Sequence, residues 1–257
     1  MKKITAFEKK GKSIWVTVDG HAFSVEPEMI IKYHLKAELE MEDKTYQAFI
    51  ADNQYLQCLR LSFVKLKKML TIAELKNILS TSSFPIGIQK QVIHYLIEKK
   101  YLDDYVYAKM YLEQKKTKEG PEMLKFHLQQ KGISPDILEK TMSHYREDVI
   151  IQELMEKKLN TPTKKPKRAY MMQIKQQLIA KGFHREMIES CMMSHEDLLE
   201  NKDQEIIHVY GQKIIKQYQH KLTGYTLYQK IKEKLYQKGF AYEDIKRYLE
   251  TIDLQSW

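Results

Sequence analysis

LKFHLQQKGISPDIL (residues 124–138), IKQQLIAKGFHREMI (174–188) and IKEKLYQKGFAYEDI (231–245) align without a gap. Each runs apolar, Lys, two variable residues, Leu, two variable residues, Lys-Gly, apolar, then an acidic residue and a closing apolar one. The pattern spells the end of a helix. Leu124 and Leu128, or Ile174 and Leu178, lie one turn apart on a buried face. Lys131, Lys181 and Lys238 fall in the last turn, where a cation meets the negative end of the helix dipole. Gly132, Gly182 and Gly239 then take the left-handed position that strains any residue with a Cβ. Ile133, Phe183 and Phe240 fold back on the finished helix, and Ser134-Pro135 supplies a cap and first-turn proline for the next one.

A degenerate fourth copy, LKNILSTSSFPIGIQ (75–89), keeps Leu75, Lys76, Leu79 and Phe84 but has Ser82-Ser83 in place of Lys-Gly. Thr71 and Glu74 before it have the spacing of a capping box. The copies start at 75, 124, 174 and 231, so they are 49, 50 and 57 residues apart. That interval holds three helices, and a period of this size marks a repeat architecture. Helices are expected over 45–68, 72–82, 85–99, 103–116, 120–131, 134–144, 146–159, 169–181, 184–193, 195–219, 224–238 and 241–252. The fold class is mainly α: an elongated right- or left-handed array of about four tandem three-helix repeats. The repeats would occupy 45–100, 101–145, 146–194 and 195–257, with a basic, proline-containing linker, NTPTKKPKR, at 160–168.

Residues 1–44 differ. ITAF, SIWVTV and HAFSV are β-branched and aromatic runs separated by KKGK and DG, which predicts three short strands with tight turns, then a short helix. So small a sheet must pack on the helices that follow.

Composition agrees with a helical protein. Gly (9) and Pro (6) are scarce in 257 residues, and hydrophobic residues reach 43%. No apolar run approaches the roughly 18 residues of a membrane span, and MKKITAFEKKGK has no apolar stretch that would make it a signal peptide. Two cysteines in a chain this long point to a reducing, cytoplasmic setting. The net charge of +9 is uneven: residues 157–257 carry 19 basic and 12 acidic side chains. Between Lys157 and Arg185 there are nine Lys or Arg and no acid. Such a field suits a polyanion, either nucleic acid or an acidic protein face, although a solvated surface would also carry it.

Catalytic constellations are not found. Gly11-Lys12-Ser13 lacks the upstream glycine of a phosphate loop and runs into a strand rather than a helix. Cys191 with His195 is half a metal site, and the Cys reads as a core residue near Met187 and Met192. Asp103-Asp104 reads as a helix cap. The tyrosines at 95, 101, 105, 107, 111, 225, 228, 236 and 242 have the spacing of packed helix faces, with stacking on single-stranded nucleic acid as the rival use. No metal or cofactor is expected.

EKKYLDDYVYAKMYL (98–112), Gly120-Pro121 and LKFHLQQKGI (124–133) together resemble the RecX family of bacterial recombinase regulators, through Tyr101, Leu102, Asp103, Asp104, Ala108, Gly120, Leu128, Lys131 and Gly132. VDGHAFSV (18–25) followed by IIKYHL (30–35) is similar to the strand-rich extension of longer members. Where the family carries an Arg-rich helix, this chain has EQKKTK (113–118). The resemblance implies a non-enzymatic, monomeric regulator that binds filaments of the recombinase RecA. It would restrain strand exchange, ATP hydrolysis and co-protease activity in DNA repair and the SOS response. A general single-stranded nucleic-acid-binding protein is the alternative. Candidate contacts are Lys131, Lys157, Lys158, Lys164, Lys165, Lys167, Arg168, Lys175, Lys181, Arg185, Lys232 and Lys238.

Overall fold

The hairpin at the N-terminus follows from its turn. Asp19 and Gly20 both have positive φ, 48° and 81°, which matches the right-handed twist of the strands they join. The computed structural model of the chain describes residues 1–11, 13–161, 163–195 and 202–252; Lys12 of the Gly-Lys-Ser tripeptide, Pro162 of the linker and the start expected for the 195–219 helix lie outside them. Strands β1 (Lys2–Lys10), β2 (Ser13–Val18) and β3 (His21–Val25) are antiparallel neighbours. A fourth, two-residue strand that the sequence does not announce, β4 (Glu40–Met41), pairs with Lys2 and Lys3, giving the order β3-β2-β1-β4. Helix α1 (Pro27–Lys32) follows β3. Ile4, Val16, Val18 and Val25 are buried with Phe49 of helix α2 (Asp43–Lys65), which supplies the packing partner that so small a sheet requires.

From α2 onward the described residues are helical. The helices are α3 (Ile72–Ser80), α4 (Ile86–Glu98), α5 (Asp104–Lys115), α6 (Pro121–Gln130), α7 (Pro135–Met142) and α8 (Glu147–Leu159). After these come α9 (Lys167–Ala180), α10 (Arg185–Ser194), α11 (Lys202–Tyr218), α12 (Gly224–Lys238) and α13 (Tyr242–Glu250). Ends differ from expectation by a few residues, and at α9 the difference bears on the basic stretch. The helix begins at Lys167, so Lys167 and Arg168 are its first turn rather than linker. Pro166 is its cap, and a proline's fixed φ suits a helix entry.

Taken in threes from α2, the helices enclose separate cores. Cys58, Leu75, Leu79, Val92 and Leu96 form one, and Tyr107, Ala108, Leu128, Ile133 and Leu138 a second. Ile151, Met155, Ile174, Leu178 and Ile188 belong to a third, and Ile207, Leu227, Ile231, Leu235 and Ile245 to a fourth. The two units into which the chain divides are Met1–Tyr111 with Leu128–Thr141, and Leu112–His127 with Met142–Trp257.

All three Lys-Gly turns close their helices identically. Gly132, Gly182 and Gly239 have φ of 80°, 84° and 95°. The amides of Ile133, Phe183 and Phe240 donate to the carbonyls of Leu128, Leu178 and Leu235 at 3.1, 3.2 and 3.3 Å. The glycine amides donate to the carbonyls of Gln129, Ile179 and Tyr236, each at 2.9 Å. This is the double hydrogen bond of a Schellman ending. Thr71 and Glu74 form the reciprocal capping box at the start of α3.

Candidate functional site

Each Lys-Gly turn packs on the start of the middle helix one triplet earlier. A Cβ on Gly132 would overlap Ala73 of α3, one on Gly182 would lie 2.6 Å from Met123 Cγ of α6, and one on Gly239 would lie 2.9 Å from Ala169 Cβ of α9. Real Cβ atoms do not approach so closely, so the glycines are needed for contact as well as for backbone angle. At the first joint the Thr71 hydroxyl donates to the Lys131 carbonyl at 2.7 Å, and the Asp104 carboxylate accepts from the Ile72 amide at 2.8 Å. At the third joint Asp203 accepts from the Lys167 amide at 2.8 Å. Asp104 and Asp203 are both buried, and burial pushes both carboxyls above their ordinary value. Each carboxylate thus caps a helix of the preceding triplet, satisfying an amide that would otherwise lack a partner.

The candidate cations divide by what they touch. Lys131 is committed to the first joint: its ammonium lies 2.7 Å from Glu74 and 5.6 Å from the centre of the Tyr107 ring. Lys175 and Arg185 share Glu189, whose carboxyl their charges hold down at about 2. Lys158 donates to Gln177 at 2.6 Å and Lys165 to Gln173 at 2.7 Å, and neither has an acidic partner among the described residues. The side chains of Lys157, Lys164, Lys181 and Lys238 have no ion pair among the described residues, and all but half-buried Lys181 are exposed. Arg168 lies over the Tyr236 ring at 6.0 Å, and Lys232 over the Tyr242 ring at 4.9 Å.

The structure brings part of the basic stretch together. Lys167, Arg168 and Lys175 line a cleft of about 770 Å³ with Met171, Glu189 and Arg247. Arg247 carries no mark in the repeat pattern, since it lies beyond the closing apolar residue Ile245. Through Tyr236, Arg168 also reaches the side of α12 that carries Lys232. Lys131 belongs to Leu128–Thr141 of the first unit and is not part of this group.

The tyrosines do not all pack as their spacing predicts. Tyr107 is buried and Tyr95, Tyr105, Tyr111 and Tyr228 are half-buried, but Tyr101, Tyr225, Tyr236 and Tyr242 are 52–75% exposed. The exposed ones sit just after or at the margins of helices, where the amphipathic stripe no longer decides the side facing the core. Cys191 is half-buried beside Met192, with Met187 exposed, and its thiol lies 3.8 Å from His195 Nδ1, whose ring contacts the Cys191 carbonyl at 2.8 Å. Burial pushes that thiol up, so it is a poor nucleophile. Among the described residues no group of three or more His, Cys, Asp or Glu side chains could hold a metal ion, and no helix is long and apolar enough to cross a membrane.

Comparison with known proteins bears on this architecture. Residues 103–142 match a model described as RecX, second three-helix domain, and residues 201–249 match RecX, third three-helix domain. Regulatory protein RecX of Halalkalibacterium halodurans is 28% identical over 238 residues, covering 90% of both chains. Regulatory protein RecX of Oceanobacillus iheyensis is 27% identical over 240 residues, covering 90% of this chain and 88% of that one. Two solved structures share the fold. A crystal structure of regulatory protein RecX has a TM-score of 0.52 at 20% identity, over 78% of this chain and all of that one. RecX from Lactobacillus salivarius has a TM-score of 0.50 at 22% identity, over 56% of this chain and 98% of that one. Two RecX domain models match in order along the chain, the matched residues containing the glycine turns at Gly132 and Gly239, and regulatory proteins RecX align over nine-tenths of the sequence: the chain is similar to the RecX family along nearly its whole length.

Proposed function

We propose that the chain is a non-enzymatic regulator that binds the RecA recombinase and its DNA filament and restrains recombination, ATP hydrolysis and co-protease activity. The observation that carries this reading is the repeated joint. Three Lys-Gly turns seat on three helix starts in the same way, so equivalent surfaces recur along the chain, and recurrence is what a periodic partner can match. The division into a strand-rich segment (1–44) and four triplets (45–100, 101–145, 146–194 and 195–257) is part of the proposal, as are a monomeric state and a cytoplasmic location. Lys157, Lys164, Lys165, Arg168 and Lys238 are its foremost contacts, because no acidic side chain among the described residues pairs with them; Lys131, Lys175 and Arg185 serve packing first.

A second reading, single-stranded DNA binding without a recombinase partner, draws support from Tyr236 with Arg168 and Tyr242 with Lys232, exposed rings beside cations. Titrating this protein into recombinase turning over ATP on single-stranded DNA tests the first reading, with a direct binding measurement on DNA-free recombinase alongside. Inhibition together with DNA-independent binding is the expected result. DNA binding with no affinity for recombinase would replace the first reading by the second.

A further inference from the structure

The middle joint departs from its neighbours for a covalent reason. At the first and third joints a buried aspartate accepts the amide of the first residue of the middle helix, Ile72 or Lys167. The corresponding residue of α6 is Pro121, which has no amide hydrogen to give. The acid that opens α8, Glu147, therefore turns elsewhere. One of its oxygens accepts the His184 amide and the other contacts His184 Nδ1, both at 2.7 Å. The far side of the ring faces a second carboxylate: His184 Nε2 lies 3.5 Å from Glu122 of α6. Beside these the turn seats itself through the Gly120 amide, which donates to the Lys181 carbonyl at 2.6 Å.

We propose that His184, set between Glu147 of α8 and Glu122 of α6, makes the middle joint a pH-sensitive clasp, closed with the imidazolium and loosened with the neutral ring. Only the imidazolium can donate from both nitrogens. The neutral ring keeps its hydrogen on one nitrogen and turns a lone pair towards an acidic oxygen with the other, leaving Glu122 and Glu147 facing each other across an uncharged group. The charged groups around the ring are Glu147, Glu122 and Lys125 of α6; the two acids raise its pKa and the lysine opposes them, with a net rise above the ordinary histidine value. Because the folded value is the higher one, the stabilisation is complete below the ordinary histidine pKa and is lost as pH rises through the folded value. The first and third joints have no histidine in that place, so this sensitivity belongs to the middle joint, where α6 meets the triplet α8–α10, a triplet that neither matched domain model covers.

The Gly120 amide is the reporter. Its exchange in the full-length protein, corrected for the intrinsic pH dependence of amide exchange, is compared with that of the Ile72 and Lys167 amides between about pH 5.5 and 8. Protection at Gly120 is expected to fall about two- to fivefold across the His184 titration, the range of a partly exposed ion pair, with Ile72 and Lys167 unaffected. His184→Gln should abolish the change. Glu122→Gln, which alters an exposed side chain and leaves the backbone of the joint intact, should reduce it and keeps the test decisive should the first variant fail to fold. Flat protection in the wild type, a fall shared by all three amides, or undiminished pH dependence in Glu122→Gln or in folded His184→Gln would overturn the proposal.

Discussion

Gly182 meets two demands that any other residue would fail. Its φ of 84° lies in the left-handed region, and a Cβ there would press on Met123. Gly182→Ala should therefore cost more than the roughly 1 kcal/mol expected of the backbone angle alone. Urea denaturation measures it, and a variant as stable as wild type would contradict the packing at that joint. Lys100 presents the opposite case. Its φ is 60° in a turn where the Tyr101 amide reaches back to the Leu96 carbonyl at 2.9 Å, the geometry that glycine serves in the Lys-Gly turns. Among the described residues the exposed Lys100 pairs with half-buried Asp103 alone, at 3.5 Å, a contact worth little. Lys100→Gly should then stabilise the protein by up to about 1 kcal/mol, since relief of left-handed strain outweighs the added freedom of the unfolded chain. A lower denaturation midpoint would show that Lys100 holds more than its turn.

At the scale of the helix, the joints explain why one copy of the repeat is degenerate. The turn after α3 has Ser82-Ser83 where later copies have Lys-Gly, and it has no earlier triplet to seat upon; what precedes it is sheet and α2. Glycine recurs at Gly132, Gly182 and Gly239, where a neighbouring helix start must be accommodated. Periodicity and turn residues were enough to locate α3 to α10, α12 and α13 within about two residues, because their apolar stripes and stops are local. The joints were not legible, because Asp104 and Asp203 look like ordinary first-turn acids and give no sign that their amide partner lies 32 or 36 residues away. Asp203→Ala should cost about 1–2 kcal/mol through loss of the cap on α9. Asp203→Asn should be near neutral, since it keeps an accepting oxygen and relieves the burial of a charge. A raised folded pKa also makes the wild-type carboxylate progressively less favourable to folding as pH rises from the ordinary aspartate value through the folded one. The difference in stability between Asp203→Asn and wild type should accordingly widen in the variant's favour as pH rises through that interval. Equal losses in the two variants at neutral pH would mean that the carboxylate's charge, not its acceptor, matters.

For the molecule as a whole, charge counting found the basic stretch but could not say which cations are spent inside it. Lys175 and Arg185 belong to the same acid-free run as Lys164 and Arg168, yet Glu189 neutralises the first two from four residues beyond the run's end. Lys167 and Arg168 stand in the first turn of α9, where no acidic residue of that helix accompanies them and the dipole disfavours positive charge. The buried Asp203 carboxylate beside Lys167 and the Tyr236 ring beside Arg168 offset part of this cost, so replacing these cations separates the proposed contact from stability in a single variant. Changing Lys164, Lys165, Lys167 and Arg168 together to Gln should leave thermal stability unchanged or raise it, by about 0.3–1 kcal/mol for each of the two helix-terminal charges. The same variant should bind single-stranded DNA more weakly, with a salt dependence shallower by about 0.7 for each phosphate that is no longer neutralised. Lys175→Gln with Arg185→Gln should do the reverse, lowering stability by removing both partners of Glu189 while leaving the salt slope alone. Melting curves and DNA-binding isotherms over a range of salt concentrations decide the matter. An unchanged slope in the fourfold variant, or a slope that falls only when Lys175 and Arg185 are replaced, would move the proposed polyanion surface away from the start of α9.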